Sequence, residues 1–331
     1  MIMFIKQSIH RVLNHVQTKG VIMRDKVKVR YPALTARHCL ALFLFITLAA
    51  AGCSKKEITV PSLTPEPTRE QLTGKFVWYD LFTHDLQTTG TFYQELFGWT
   101  FTDTEPANAM VKTINLEGVP IANAVKIDPL KKNTNESAWL GYVSVPDVDK
   151  AVEQVKLLNG TIYKDPGDLP KRGRIAIAID GQGAIFGLVN SPSGDPPDPV
   201  NRQNRFIGSE LWTSDLDKAI ALYTALAGYE LNVIEVGAGI KYHLLTRDSV
   251  PRAGLARISW DGVEPNWIPY IAVEDVLQTI AQVEKKGGRL LIKPSEEMRD
   301  NPLAIIADPS GAVFGIQQIP DVVTAEGGNQ P

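Results

Sequence analysis

The chain has 331 residues, with 34 Lys and Arg against 37 Asp and Glu and a formal net charge of −3. Residues 1–52 hold eight of the basic residues and one acidic residue, so the rest of the chain is acidic, with 26 basic and 36 acidic residues. An acidic surface repels phosphates, so nucleic acid is excluded as an expected partner.

The N-terminal region has the pattern of a signal peptide. Basic residues precede an uncharged apolar run from Cys39 to Ala51, which is shorter than the roughly 20 residues that a membrane-spanning helix needs. The run ends in Leu-Ala-Ala-Ala-Gly-Cys53, which resembles the lipobox of bacterial lipoproteins, where the cysteine is acylated and the chain is cut before it. The resemblance implies a signal peptide over residues 1–52 and a lipidated Cys53. It further implies export and a lipid anchor in the bacterial envelope. Ser54, rather than Asp, after the cysteine resembles the pattern of lipoproteins sent to the outer membrane, where the protein would face the periplasm.

Two features flank this cleavage site. Met23 begins a basic segment of the kind that opens a signal peptide, Met-Arg-Asp-Lys-Val-Lys-Val-Arg. We therefore hypothesise that Met23 is the true first residue of the protein and that residues 1–22 lie upstream of it. Residues 53–73 are rich in proline, which favours an extended spacer, and we expect a tether between lipid and globule. Loss of residues 1–52 would leave Cys53 as the single cysteine and His84 and His243 as the histidines, which excludes a disulfide framework and a Cys/His zinc cluster.

The rest of the chain is an internal repeat. The segments Phe76–Leu86 and Phe92–Trp99 return about 130 residues later as Phe206–Leu216 and Leu222–Tyr229. Such self-similarity predicts two homologous domains: domain 1 over residues 74–190 and domain 2 over residues 205–319. A proline-rich linker, residues 191–204, joins them, and residues 320–331 are expected to form a disordered tail.

Each domain divides again into two similar modules. In the first module, a strand from Phe76 to Phe82 is followed by the helix cap Asp85, an apolar-periodic helix that ends at Gly98, and three short strands. The same order follows from Trp139 to Val189. The pattern predicts four βαβββ modules in an α+β protein.

These motifs carry a family resemblance. Aromatic-x-Asp/Glu-Leu-x-Thr-x-Asp-Leu, Phe-Tyr-x-x-Leu-Phe-Gly-Trp and Asp-Pro-x-Gly-x-x-Phe-Gly resemble the glyoxalase, bleomycin-resistance and extradiol-dioxygenase superfamily, also called vicinal oxygen chelate (VOC) proteins. The resemblance implies two domains in which curved mixed sheets enclose a cleft. In members with a metal, His, Gln and Glu side chains from the strands converge on a divalent ion in this cleft.

The family's metal-ligand positions hold other residues in this chain. They map to the following six positions: Trp78, Gly208, Gly141, Pro269, Gly187 and Gly315. None of these side chains ligates a metal, so we predict no metal and no cofactor. A divalent metal with atypical ligands belongs only to the alternative, an enzyme.

Candidate ligand-binding residues follow from strand alternation. Residues two apart on a strand share a face, so Trp78 and Asp80 are expected in the cleft of domain 1, and Glu210 and Trp212 in that of domain 2. By the same counting Trp139 and Trp267 point inward, and His243 is a further candidate on a predicted strand. Apolar walls with one carboxylate are typical of a small-molecule site. The alternative is that these tryptophans fill a closed core.

Three functions remain open from the sequence. The first is a metal-free protein that binds a small apolar or aromatic molecule. The second is a VOC enzyme of the glyoxalase, lyase or dioxygenase type, with atypical metal ligands or with Asp80 or Glu210 as a general base. The third is a structural envelope protein. We expect a monomer, because the modules can pair within one chain, with a dimer left open.

Overall fold

The computed structural model describes residues 60–104, 107, 109–127, 137–199, 203–236, 240–259, 262–294 and 302–319. The predicted signal peptide, Cys53 and the predicted tail lie outside these residues. Among the helices described, none is long and apolar enough to cross a membrane.

Domain 1 forms one eight-stranded mixed sheet with two helices. Its elements in chain order are β1 (Phe76–Thr83), α1 (Leu86–Phe97), β2 (Thr100–Asp103), β3 (Val111–Leu116), β4 (Val119–Lys126), β5 (Ala138–Ser144), α2 (Val148–Leu157), β6 (Thr161–Leu169), β7 (Gly173–Ile179) and β8 (Ile185–Asn190). The strand order is β2-β3-β4-β1-β5-β8-β7-β6. The two modules of the domain join where β1 pairs antiparallel with β5.

Domain 2 repeats this arrangement. Its elements are β9 (Phe206–Thr213), α3 (Leu216–Ala227), β10 (Glu230–Val236), β11 (Ile240–Arg247), β12 (Val250–Arg257), β13 (Asn266–Val273), α4 (Val276–Lys285), β14 (Arg289–Ile292), β15 (Leu303–Ala307) and β16 (Val313–Gln318). The strand order is β10-β11-β12-β9-β13-β16-β15-β14. The predicted α+β class with two domains of two βαβββ modules is confirmed.

Helix α1 begins and ends where the sequence predicts. The Asp85 carboxylate accepts hydrogen bonds from the backbone N–H groups of Gln87 and Thr88 and so caps α1. Asp147, Asp215 and Asp275 cap the other three helices in the same way, which satisfies N–H groups that have no partner within the helix. Gly98 ends α1 at a φ of 70°, a left-handed conformation that glycine adopts without a steric penalty.

The two sheets pack together through one shared core. One face of each sheet, with its helices, contributes to a single apolar cluster that contains residues of both domains. Tyr79 of β1 stacks on Phe206 of β9 at 4.0 Å between ring centroids, and its hydroxyl shares a hydrogen bond with Ser209. The opposite face of each sheet carries a separate apolar cluster; we call this the cleft face.

The segment before domain 1 departs from the expected spacer. Residues 60–73 form no helix or strand, yet Leu63 and Thr64 are buried. Leu63 packs in the cleft-face cluster of domain 1, because an apolar side chain gains free energy by leaving water. Thr68 donates its backbone N–H to the Ser193 carbonyl, and the backbone N–H of Leu72 donates to Asp195. This part of the predicted tether, and residues 191–199 of the predicted linker, are therefore packed against the domain.

Candidate functional site

A buried carboxylate lies at the centre of the domain 2 cleft face. Glu210 of β9 is 1% exposed. Its carboxylate accepts hydrogen bonds from the Trp212 indole N–H at 2.8 Å, the Tyr242 hydroxyl at 2.6 Å and the Tyr270 hydroxyl at 3.4 Å. Within the described part of the chain Glu210 forms no ion pair. Burial raises the pKa of Glu210 to about 7, although the three hydrogen bonds lower it.

Domain 1 carries a similar carboxylate with different surroundings. Asp80 of β1 accepts hydrogen bonds from the Trp78 indole N–H at 3.1 Å, the Asn123 amide at 3.0 Å and the Tyr142 hydroxyl at 2.9 Å. The Arg172 guanidinium lies 3.8 Å from the centroid of the Trp78 ring and interacts electrostatically with Asp80. Domain 1 thus provides a cation beside its half-buried carboxylate.

Strand alternation placed two of the four candidate tryptophans on the correct face and two on the wrong face. Trp78 with Asp80, and Trp212 with Glu210, share the cleft face as expected. Trp139 and Trp267 instead lie in the shared core, where their indole N–H groups donate to the hydroxyls of Tyr93 and Tyr223. The prediction that Trp139 and Trp267 point into the clefts is wrong.

The prediction for Trp139 and Trp267 is wrong because it assigned the faces of β5 and β13 one residue out of register. Gly141 faces the shared core, because a Cβ on it would meet the ring of Phe76. On β5 the cleft face therefore carries Leu140 and Tyr142, and on β13 it carries Ile268 and Tyr270. A one-residue shift exchanges the two faces of a strand.

His243 is also away from the cleft. Its neighbours on β11, Tyr242 and Leu244, belong to the cleft-face cluster of domain 2, so His243 points to the other side of the sheet. There it is half-buried, and burial lowers its pKa. The structure does not bring His243 together with Glu210.

A small cavity opens beside Glu210. It has a volume of about 30 Å³, within about 410 Å³ of empty space that includes the part open to solvent. Its lining residues are Ile207, Gly208, Ser209, Glu210, Tyr242, Leu244, Pro251, Arg252, Ala253, Gly254, Tyr270 and Gln317. A volume of this size holds one or two water molecules or the end of a larger molecule.

The repeat explains why this cavity exists in domain 2. Gly208 pairs with Tyr270 as Trp78 pairs with Tyr142, so the glycine stands where domain 1 has an indole. Apart from Gly208 and its two chain neighbours, no described residue has an atom within 4 Å of the place that a Cβ on Gly208 would take. In domain 1 the corresponding place holds Trp78, which is 1% exposed. The difference of one side chain leaves space in domain 2.

The cleft face of domain 1 is covered by its own chain. Leu63 is 3% exposed in the cluster that contains Trp78 and Phe82. Arg172 donates from Nε to the Pro61 carbonyl at 2.9 Å, which ties the N-terminal segment to the residue that covers Trp78. Trp78 therefore lies beneath Leu63 and Arg172.

The residues at the family's metal positions do not fit a metal. A Cβ on Gly187 would lie 2.2 Å from the Tyr142 ring, and a Cβ on Gly315 would lie 2.4 Å from the Tyr270 ring. The tyrosines thus fill the space in which a ligand side chain on the last strand would begin. Among the described residues, no group of three or more His, Cys, Asp or Glu could hold a metal ion.

Comparison with known proteins identifies the family. Residues 75–113 match the sequence profile of the bleomycin resistance protein-like N-terminal family. The chain is 30% identical over 241 residues to a putative glyoxylase, CFP32, of Mycobacterium bovis, covering 72% of this chain and 92% of that protein. It is 25% identical over 266 residues to the anthracycline biosynthesis protein DauV of Streptomyces sp., covering 76% of this chain and 96% of that protein. The chain belongs to the glyoxalase, bleomycin-resistance and extradiol-dioxygenase (VOC) superfamily.

Solved structures share the fold. The Mn(II)-bound glyoxalase of Novosphingobium aromaticivorans matches with a TM-score of 0.51 and 12% identity, over 74% of this chain and 82% of that chain. Homoprotocatechuate 2,3-dioxygenase of Arthrobacter globiformis matches with a TM-score of 0.54 and 14% identity, over 80% of this chain and 84% of that chain. At these identities the likeness concerns the fold.

Several residues of the site were missed by the sequence analysis. They are Asn123, Tyr142 and Arg172 in domain 1 and Tyr242, Tyr270 and Gln317 in domain 2. Tyr142 and Tyr270 are equivalent in the repeat, and this equivalence was a usable signal. Arg172 and Gln317 have no such signal, because the repeat does not match either of them with a similar side chain.

Proposed function

We propose that the protein binds a small apolar or aromatic molecule in the cleft of domain 2. The observation that carries this proposal is the cavity at Gly208, which is also lined by the buried Glu210 and by Tyr242 and Tyr270. Apolar walls with few polar groups are typical of small-molecule sites. The name of the relative DauV, which refers to anthracycline biosynthesis, supports an aromatic ligand.

The two clefts have different roles in this proposal. Domain 1 is closed by Leu63 and Arg172 and serves as a packed scaffold. Domain 2 takes the ligand, and it does so without a metal, because Tyr270 fills the space in which a ligand side chain at Gly315 would begin. The other candidate residues, Trp78, Asp80, Trp139, Trp267 and His243, then have structural roles.

A binding titration tests the assignment to domain 2. A panel of aromatic and cationic compounds is titrated while tryptophan fluorescence is followed. Trp212→Phe should weaken binding and remove part of the fluorescence change, because Trp212 donates to Glu210 beside the cavity. The matched variant Trp78→Phe in domain 1 should leave the affinity unchanged. Loss of affinity in Trp78→Phe alone would contradict the proposal.

A VOC-type enzyme is the second candidate, and one observation favours it. The pKa of Glu210 is raised to about 7, which suits a general base at neutral pH. The relative CFP32 carries the name putative glyoxylase. Glyoxalase-type and dioxygenase-type assays with and without added divalent metal, on the wild type and Glu210→Gln, separate the candidates. Turnover that Glu210→Gln abolishes would establish the enzyme.

Metal content separates them further. Elemental analysis of protein purified without chelators or a histidine tag should find far less than one equivalent of Zn, Ni, Mn or Fe per domain. About one equivalent would mean that other residues bind a metal and would favour the enzyme.

We also propose that the protein is exported and anchored through a lipid on Cys53, as a monomer on the periplasmic face of the outer membrane. The lipobox-like segment Leu48–Cys53 supports this. Mass spectrometry of the membrane fraction should find an acylated N-terminal Cys53. Cys53→Ala should prevent cleavage and acylation, and an unmodified chain in the soluble fraction of the wild type would contradict the proposal.

A further inference from the structure

The cavity of domain 2 has two hydrogen-bond donors that lack acceptors. Gln317 and Arg252 both line it. Nε2 of Gln317 and Nε of Arg252 are buried and have no partner among the described residues. A buried N–H without an acceptor costs free energy, and native structures have few of them. Two such groups around one cavity suggest that a ligand supplies the acceptor.

The fold places Gln317 on the cleft side of β16. Its neighbours Phe314 and Ile316 belong to the shared core, so Gly315 and Gln317 face the cleft. Gln317 is 2% exposed. The amide is therefore part of the cavity wall and is removed from solvent, which makes an unpaired donor costly.

Arg252 lies on β12, which neighbours β9 on one side of Gly208. Gln317 of β16 lies on the other side. Nη1 of its guanidinium contacts the Asp198 carboxylate at 3.0 Å, and the Lys75 ammonium contacts the same carboxylate at 3.0 Å. Two cations thus share Asp198. This arrangement holds the arginine in position and leaves its Nε available, with positive charge beside the cavity.

Glu210 does not supply the missing acceptor. Its oxygens accept hydrogen bonds from Trp212, Tyr242 and Tyr270. Neither Nε2 of Gln317 nor Nε of Arg252 donates a hydrogen bond to Glu210. Among the described residues the two donors thus have no acceptor, and a molecule that enters the cavity can supply one.

On the basis of the proposed ligand cavity, we infer that the ligand carries a carbonyl or carboxylate oxygen that accepts hydrogen bonds from Nε2 of Gln317 and Nε of Arg252. The apolar or aromatic part of the ligand contacts Tyr242, Tyr270 and Leu244, which line the same cavity. The two donors thus select ligands that carry an acceptor oxygen, and the aromatic side chains of the cavity wall provide apolar contact area.

The test uses three probes of similar shape: benzoate, acetophenone and toluene. Their dissociation constants are measured by ligand-observed NMR titration. Benzoate and acetophenone should bind the wild type roughly tenfold more tightly than toluene, because each offers an acceptor oxygen. Gln317→Leu should remove most of this preference and leave the affinity for toluene within about twofold.

Two further variants guard against misinterpretation. Arg252→Lys keeps the positive charge that faces Asp198 but removes the Nε–H, so it should weaken benzoate binding as well. Gln278→Leu changes an exposed glutamine on α4 and should leave all three affinities unchanged.

The possible results are distinguishable. Equal binding of all three probes, with no effect of Gln317→Leu or Arg252→Lys, would overturn the inference and leave the proposed binding function intact. Binding of none of the probes to the wild type would count against both.

Discussion

The ring of Tyr270 covers Gly315 so closely that a Cβ on this glycine would lie 2.4 Å from the ring. Tyr142 covers Gly187 in the same way in domain 1. In each domain the small residue on the last strand makes room for the tyrosine that donates to the carboxylate of Glu210 or Asp80. The glycines are thus part of the carboxylate sites.

Gly315→Ala should therefore destabilise the protein, because its Cβ would overlap with the Tyr270 ring. Overpacking of this kind costs about 1–3 kcal/mol, which chemical denaturation measures. The control is Gly90→Ala on α1, where a Cβ would meet Phe101 at 3.6 Å, an ordinary contact, and alanine favours the helix. Equal stability of Gly315→Ala and Gly90→Ala would contradict this packing.

Glu210 should make stability fall as the pH rises from about 4.5 to 7. Its pKa is about 7 in the folded protein and 4.5 as its ordinary value, so between these values the folded state binds more protons than the unfolded state. Raising the pH then favours unfolding. The contribution amounts to about 3 kcal/mol at 1.36 kcal/mol per pKa unit, is fully present below pH 4.5 and is lost above pH 7.

The difference between the wild type and Glu210→Gln isolates this effect. Denaturation of both proteins from pH 4.5 to pH 8 should show the wild type losing stability relative to the variant as the pH rises. Burial raises the pKa of Asp308 to about 6. Asp308 is present in both proteins, so its contribution cancels in the difference between their free energies of unfolding. A difference that does not change with pH would mean that Glu210 titrates normally.

Leu63→Ala should destabilise domain 1 by about 2–4 kcal/mol, because it removes buried apolar atoms and leaves a void. Leu63 is 3% exposed, whereas Leu157 on α2 is 73% exposed. The matched control Leu157→Ala should therefore change the free energy of unfolding by less than about 0.5 kcal/mol. A small effect of Leu63→Ala would show that residues 60–73 do not pack on the cleft face as described.

Tyr223 and Asp180 should be energetically coupled across the two domains. The Tyr223 hydroxyl of α3 donates to the Asp180 carboxylate of domain 1 at 3.2 Å, and it accepts from Trp267. A double-mutant cycle with Tyr223→Phe and Asp180→Asn should give a coupling energy of about 0.5–3 kcal/mol. Strict additivity would contradict a shared buried contact.

The sequence predicted the fold well because its signals are local and repeated. Asp85 caps and Gly98 ends a helix through interactions within a few residues, and the 130-residue offset shows each signal twice. Alternation also placed Trp78 beside Asp80, and Trp212 beside Glu210, because only two positions on one strand had to be related.

The errors concern relations between distant segments. Counting on β5 and β13 began from Gly141 and Pro269, and a shift of one residue moved Trp139 and Trp267 to the shared core. The burial of Leu63 depends on a cleft that lies far along the chain, and no local pattern distinguishes it from a residue of a spacer. Gln317 lines the cavity because β16 lies next to β13 in the sheet, and the sequence did not specify this strand order.

NMR can locate a bound ligand in one of the two domains. Methyl NMR spectra of isoleucine- and leucine-labelled protein are recorded with increasing concentrations of an aromatic compound that binds. We predict shifts at Ile207 and Leu244, which line the domain 2 cavity, and unchanged signals at Leu140 and Ile175 on the cleft face of domain 1. Shifts at Leu140 and Ile175 with unchanged signals at Ile207 and Leu244 would contradict the assignment of the ligand site to domain 2.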